Sequence, residues 1–367
     1  MRRDPIELDE IPAPPPAESL LTGLDGDAVQ LSLAGGSVVE WSRLNFRSHD
    51  DVNAFLRLWG CDLPNEPWSR ERLRYVYNQA VEYLEEHLGL HFANEVRRPR
   101  DVRDAFLRAG MRDKFSRHRI QYCAILKLVH VINHLEMQEL RGSVAVRDAD
   151  LIELANLKVL DAARRVRDEG MPVLAFYGNR KTRPSVITKL LAKRESTAAT
   201  VFDKLRFRIV TERRDDVVRV IAWLFRNLVP FPAVIPGESH NNLLTTQEVQ
   251  ALCDPGSMEE AVLSSAPGNE HTGAGFRAVN FIVGLPVRIY DAPGIKPPPT
   301  RALLGEVVSV LTEFQVVDRA TDQSNEAGES RHDLYKIRQM QRVYERLGRA
   351  APKPAPVVRV DESDDSG

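Results

Sequence analysis

The stretch Lys204-Leu205-Arg206-Phe207-Arg208-Ile209-Val210 decides how the second half of this chain is built. Leu205, Phe207 and Ile209 alternate with Arg206 and Arg208. A period of two is the pattern of a strand with one face buried and the other polar. The strand therefore presents two arginines on one face. Working outward, residues 174–177 are a short apolar run ending at Gly178, and residues 276–289 and 307–317 predict longer strands. Helices are predicted over about 184–194, 215–227 and 321–347. The order β-α-β-α-β-β-α implies a mixed sheet backed by helices.

Upstream the apolar period changes from two to that of a helix. Leu73, Val76, Tyr77, Ala80, Val81 and Leu84 follow i, i+3, i+4 spacing within 71–87. Helices are likewise predicted over 51–60, 101–110, 117–140 and 149–169, with Gly170 and Pro172 where a helix stop belongs. Before them, AVQLSLAGGSVVEW (28–41) has two apolar runs around Gly35-Gly36 and suggests a small hairpin. The fold class is α+β. Its parts are a disordered lead-in (1–23), a mainly helical domain (24–170), a mixed-sheet domain flanked by helices (171–348) and a disordered acidic tail (349–367).

Composition bounds the function. The 367 residues carry a formal net charge of -2, which is no nucleic-acid-like excess, and the length allows two domains. The N-terminus has two arginines but no apolar segment behind them, unlike a signal peptide, and no run of about 18 apolar residues predicts a membrane span. Cys61, Cys123 and Cys253 lie far apart without a CxxC, so neither a zinc knuckle nor a disulfide framework is suggested, which fits a reducing cytoplasm. No GxxxxGK[ST] run exists, so P-loop chemistry is excluded. His130 and His134 in HVINH lack the glutamate of a metalloprotease and are expected to pack. In His49-Asp50, the aspartate is expected to be a helix N-cap.

Four strings carry candidate chemistry. In GNRKTRPSVITK (178–189), a glycine opening onto a helix start with Lys181 and Lys189 nearby suits a polyphosphate cradle, although such lysines are also common on solvated helix turns. Asp203, at the mouth of a strand, is either a Mg²⁺ ligand or a cap. Glu313 and Gln315 share one face of an apolar strand, VVSVLTEFQVV. An unpartnered buried carboxylate is costly, so that face is solvated or Glu313 meets a metal or an arginine. His332 and Lys336, one helical turn apart, suit packing or surface pairing.

Taken in order, these strings resemble the synthetase domain of the RelA/SpoT alarmone family. Gly178, Lys181, Ser185, Val186 and Lys189 stand at the offsets of the family's G-R-x-K-x-x-x-S-I-x-x-K. Phe202, Asp203 and Arg208 match its F-D and following arginine, and Asp216-Val217 its later D-V. GFRAVN (275–280) resembles its G-Y-x-S-[IL]-H, and Glu313-Phe314-Gln315 its E-[IV]-Q. Gly328, His332, Tyr335 and Lys336 follow at similar offsets. The resemblance implies a nucleotidyltransferase-like fold and Mg²⁺-dependent transfer of pyrophosphate from ATP to a nucleotide (GDP, GTP or another) or RNA 3′-hydroxyl. By it, Asp203 and Glu313 would hold Mg²⁺, and Glu313 with Gln315 would position or deprotonate the acceptor. Gly178, Arg180, Lys181, Ser185, Lys189 and Arg208 would serve the ATP side, Phe276 would stack on a base, and Asn280 would line the site. The chain departs from the family at Asn179 for arginine, Phe276 for tyrosine and Asn280 for histidine, and residues 230–275 lack its acceptor-side segment. Two alternatives follow: a nucleotide-binding regulator without turnover, and a toxin-like transferase acting on tRNA, for which the basic runs at 93–104 and 110–119 are the motive.

Overall fold

The computed structural model describes residues 4–6, 26, 28–29, 46–110, 117–180, 183–192, 205–235, 237–251, 276–296, 301–327 and 332–347. Helices α1 (His49–Leu58), α2 (Pro67–Leu88), α3 (Asn94–Arg97), α4 (Arg103–Gly110), α5 (Arg117–Ser143) and α6 (Asp148–Asp168) occupy the first half. Strands β1 (Asp4–Ile6), β2 (Val173–Arg180), β3 (Leu205–Thr211), β4 (His240–Asn241), β5 (Val279–Arg288) and β6 (Val307–Asp318) form one sheet in the order β1-β2-β3-β6-β5-β4. Between and after them lie α7 (Arg183–Ala192), α8 (Arg214–Asn227), α9 (Thr246–Ala251), α10 (Arg301–Leu304), α11 (Arg319–Ala327) and α12 (His332–Leu347). The α+β class is as expected.

Several element ends follow local chemistry. Gly89 and Gly170 adopt left-handed φ values of 64° and 67° just past α2 and α6, where a side chain would be strained. At α1 the expected cap is corrected. Ser48 Oγ accepts the Asp51 N–H at 3.2 Å while Asp51 Oδ2 accepts the Ser48 N–H at 3.0 Å. This reciprocal box satisfies two orphan donors, which Asp50 inside the first turn does not do. His49 turns away and meets Asp104 at 2.8 Å.

Within the sheet only β3 and β6 run parallel; the other pairings are antiparallel. One face is an aromatic ladder. Phe176, Phe207, Phe314 and Phe281 follow one another across four strands with ring centroids 5.9, 5.7 and 5.5 Å apart, and Phe225 of α8 lies 5.4 Å from Phe281. Aromatic burial on this scale dominates core energetics. The core is continuous from Ala28 to Val316, so the expected boundary near residue 170 is crossed by one body of apolar side chains. Arg288 of β5 reinforces the junction. It donates to Glu66 at 2.7 and 2.8 Å and to the Gly60 carbonyl at 2.9 Å. Burial alone would raise the Glu66 carboxyl, but the Arg288 hydrogen bonds hold it below its ordinary value. His130 and His134 pack edge-on against Trp59, at 5.9 and 5.8 Å, as expected of packing histidines. Burial, aided by repulsion from His134, pushes His130 down to about 3.

Two further expectations change, and a third is not described. Asp4–Ile6, inside the lead-in, pairs with β2 from Asp4↔Gly178 to Ile6↔Phe176, because an open sheet edge can bind an extended segment. The single last helix is two, α11 and α12; the intervening residues, Gly328 among them, lie outside the described set. The hairpin at 28–41 also lies outside it, except that Ala28 and Val29 are helical and buried. Among the described residues no helix is long and apolar enough to cross a membrane.

Candidate functional site

The other face of the sheet is polar, and the register says which residues share it. Across the β3–β6 pair, Arg206 stands opposite Glu313 and Arg208 opposite Gln315. Gln315 stands opposite Asn280, Asn280 opposite His240, and Arg208 opposite Tyr177. Cross-strand partners project to the same side. A polar row therefore runs His240–Asn280–Gln315–Arg208–Tyr177 across five strands. A second row, Ile282–Glu313–Arg206–Asn179, runs beside it.

Glu313 is the centre. It is only 3% exposed, and both of its oxygens are used: Oε2 accepts from Arg206 Nε at 2.7 Å and Oε1 from Gln315 Nε2 at 3.2 Å. Of the alternatives open to this carboxylate, the structure displays the arginine. A buried carboxylate needs such partners, and removing one partner costs more than the pair contributes. Arg206 is one-third exposed, so its guanidinium reaches the surface of the face while anchoring Glu313.

Arg208, expected at ATP phosphates, is held by α11. It forms ion pairs with Asp322 and, at 3.5 Å, with Glu326. These two acids are one helical turn apart, a spacing visible in the sequence without its target. Asn325, on the same helix, accepts from the Arg277 N–H at 3.0 Å and donates to the Arg277 carbonyl at 2.8 Å. From the other side Asn242 accepts from the Ala278 N–H at 2.8 Å and donates to the Phe276 carbonyl at 2.7 Å. Residues 276–278 are thus a clamped lead into β5, three residues shorter of strand than expected. The clamp seats Phe276 on a small apolar patch of Val210, Ala278 and Val317, beside Tyr177. Asn242, Asn325 and His240 carried no sequence signal, since side-chain amides in loops are common and their partners are remote.

The glycine-cradle expectation is corrected. Gly178 is an interior residue of β2, paired with Phe207, and not a turn opening onto a helix. A Cβ there would approach Phe207 Cε1 to 3.2 Å, so its smallness serves the aromatic ladder. Arg180 shares Gly178's side of β2, opposite to Asn179, and lies 3.6 Å from Glu153 of α6. It does not join Glu313. Ser185 is half-buried on α7, which packs against α12. Asp203, Lys181 and the side chain of Lys189 lie outside the described residues, as do the side chains of His332, Tyr335 and Lys336. Asp216 accepts the Arg213 N–H at 3.1 Å and closes the first turn of α8. Burial, outweighing that hydrogen bond, raises its carboxyl above the ordinary value.

No protein-family profile and no curated protein sequence matches this chain. Among solved structures, the small alarmone synthetase 1 from Bacillus subtilis is 17% identical over 53% of this chain and 85% of its own, with a TM-score of 0.30. The small alarmone synthetase 2 from Bacillus subtilis is 16% identical over 56% and 83%, with a TM-score of 0.28. The synthetase 1 structure bound to its product pppGpp is 16% identical over 57% and 91%, with a TM-score of 0.31. At scores this low these likenesses carry no residue roles, and the fold described above stands on its own strands and helices.

Proposed function

We propose that the polar face of the sheet is a nucleotide site at which this chain transfers pyrophosphate from ATP to the 3′-hydroxyl of a nucleotide or RNA. The observation that supports this most directly is the cluster Arg206–Glu313–Gln315 at the centre of the sheet, buried yet opening onto a row of polar side chains. Glu313 and Gln315 of this cluster lie in one of the RelA/SpoT-like strings, and that resemblance gives the reading its reaction class. Phosphoryl-type transfer needs mainly alignment and charge neutralisation. Glu313 is oriented from both sides, and one of its oxygens takes the proton of the attacking hydroxyl. The new bond joins the acceptor's 3′-oxygen to the β-phosphorus of ATP, and AMP leaves as the bond between the β-phosphorus and the α–β bridging oxygen breaks. Arg206 and Arg208 lie on the same face, the first paired with Glu313 and the second with Asp322 and Glu326, and phosphates would compete with those acids for them.

For Mg²⁺, the fit rests on donor chemistry. Mg²⁺ is usually held by one or two carboxylates plus substrate phosphates. Glu313, whose oxygens now accept from Arg206 and Gln315, would supply one by exchanging a partner for the ion, and Asp203 would supply the second. Among the described residues no group of three or more His, Cys, Asp or Glu comes together so as to hold a metal ion. A bound Mg²⁺ neutralises charge on the transferred group.

Purified protein incubated with Mg²⁺, γ-labelled ATP and GDP, GTP, AMP or tRNA tests the reading. AMP and a labelled product are expected, and both should vanish in Glu313→Gln. No AMP with any acceptor sinks it, as does undiminished turnover by that variant.

A second reading, nucleotide binding without turnover, is favoured by the capture of Arg208 by Asp322 and Glu326. It expects ATP binding in calorimetry with no AMP, and tighter ATP binding in Asp322→Asn, which frees part of Arg208. AMP production by the wild-type protein ends it.

A further inference from the structure

At the β4 end of the long polar row, two neighbouring side chains each keep a buried polar atom without a partner. They are His240 Nδ1 and Asn280 Oδ1, and the two residues are directly paired across β4 and β5. Leaving a buried donor or acceptor unmade carries the full desolvation cost, so native folds leave few of them and each needs a reason. Here two fall side by side, Asn280 on the strand next to Gln315 and Glu313 and His240 on the strand beyond it. Both residues are half-buried overall, so each side chain also has surface. The last torsion of each is broad, so a small rotation carries the orphaned atom to that surface.

The two atoms ask for one kind of ligand group. Asn280 Oδ1 only accepts, whereas an imidazole Nδ1 donates in one of its tautomers. A single hydroxyl satisfies both, donating its hydrogen to Asn280 and accepting from His240. With the Nδ1–H tautomer, a carbonyl lacks the donor and an ammonium lacks the acceptor. Neighbouring cross-strand side chains are about 5 Å apart. A group bound here therefore sits beside whatever Gln315 and Glu313 hold.

We propose that His240 and Asn280 form the ribose-recognition end of the acceptor site, taking the 2′-hydroxyl next to the 3′-hydroxyl that reacts. This rests on the pyrophosphate-transfer reading and narrows it: the acceptor is a ribonucleotide or an RNA end, and its 2′-deoxy counterpart is disfavoured. His240 comes from the segment that stands where the family's acceptor-side residues are missing, and it faces the asparagine that stands where the family has histidine.

The test is calorimetric titration of the full chain, with Mg²⁺ and saturating α,β-methylene-ATP, using GDP, ADP and their 2′-deoxy forms. Wild type should prefer the ribonucleotide about tenfold, the worth of one well-made hydrogen-bond set. Asn280→Ala and His240→Ala should bring the ratio near one, with melting curves showing both folded. His240→Asn, which keeps a polar atom near the Nδ1 position, should restore most of it. Folded alanine variants with the wild-type ratio overturn the inference, as does a wild type without preference. Either result leaves pyrophosphate transfer standing if AMP is still released from ATP. If neither α,β-methylene-ATP nor any of the four probes binds, both readings fall.

Discussion

The two faces of the central sheet are built from the same strands, alternate residue by alternate residue, yet they solve opposite problems. On one, Phe176, Phe207, Phe314 and Phe281 stack in a row and the helices α6 and α8 cover them. On the other, Arg206, Glu313, Gln315, Asn280 and His240 share a face that α11 packs against, among the described residues. The first face gains by excluding water. The second keeps charges and orphaned atoms that cost stability, which the proposed function would account for.

Cutting the aromatic ladder should have the largest effect. Phe314→Ala removes a fully buried ring that stacks on both sides and should cost about 3–5 kcal/mol in denaturant unfolding. A smaller loss would mean that the ladder collapses around the gap.

The polar face should behave non-additively instead. Arg206→Met alone strands a buried carboxylate and should cost roughly 3 kcal/mol. Adding Glu313→Leu should recover most of that stability, because the double variant buries no charge. Two losses that simply add would show that the pair is not one unit. Nucleotide binding should be lost in the double variant even as stability returns.

The helical layer behind the ladder extends the contrast. His130 is held neutral there, its folded value far below the ordinary 6.5. The unfolded chain therefore takes up the proton first. This contribution to stability is complete above pH 6.5 and falls away as pH drops toward 3, by about 2 kcal/mol at pH 5. His130→Phe should flatten the acid limb of stability against pH; an unchanged limb would assign acid sensitivity to other groups.

The smallest effect should come from Gly178→Ala. Its Cβ would press the Phe207 ring at 3.2 Å, costing about 1 kcal/mol or less if the ring yields. ATP affinity should not change. A selective loss of ATP binding with normal stability would restore the phosphate role to this glycine.

Much of this comparison was legible in the sequence. Alternation within residues 204–210 placed both arginines on one side of their strand, and the same rule put Glu313 with Gln315. Helical periodicity located α1, α2 and α4–α6 to within a few residues. The misses have physical causes. Gly178 stands beside a lysine-rich helix start, but nothing local says that its free side meets Phe207. Asn242 and Asn325 act on backbone 36 and 48 residues away. Strand β4 is two residues long and leaves no periodic trace.

What the sequence determined by itself is therefore the two-sidedness of each strand, because side-chain direction in extended backbone depends only on position along the chain. It also determined the inventory of acids, amides and cations available. What only the tertiary structure decided is which strand lies beside which, and at what register. That choice set Arg206 against Glu313, 107 residues apart, and His240 against Asn280. Strand pairing is a property of the packed sheet as a whole, and a slip of one residue would have turned the same side chains into the core.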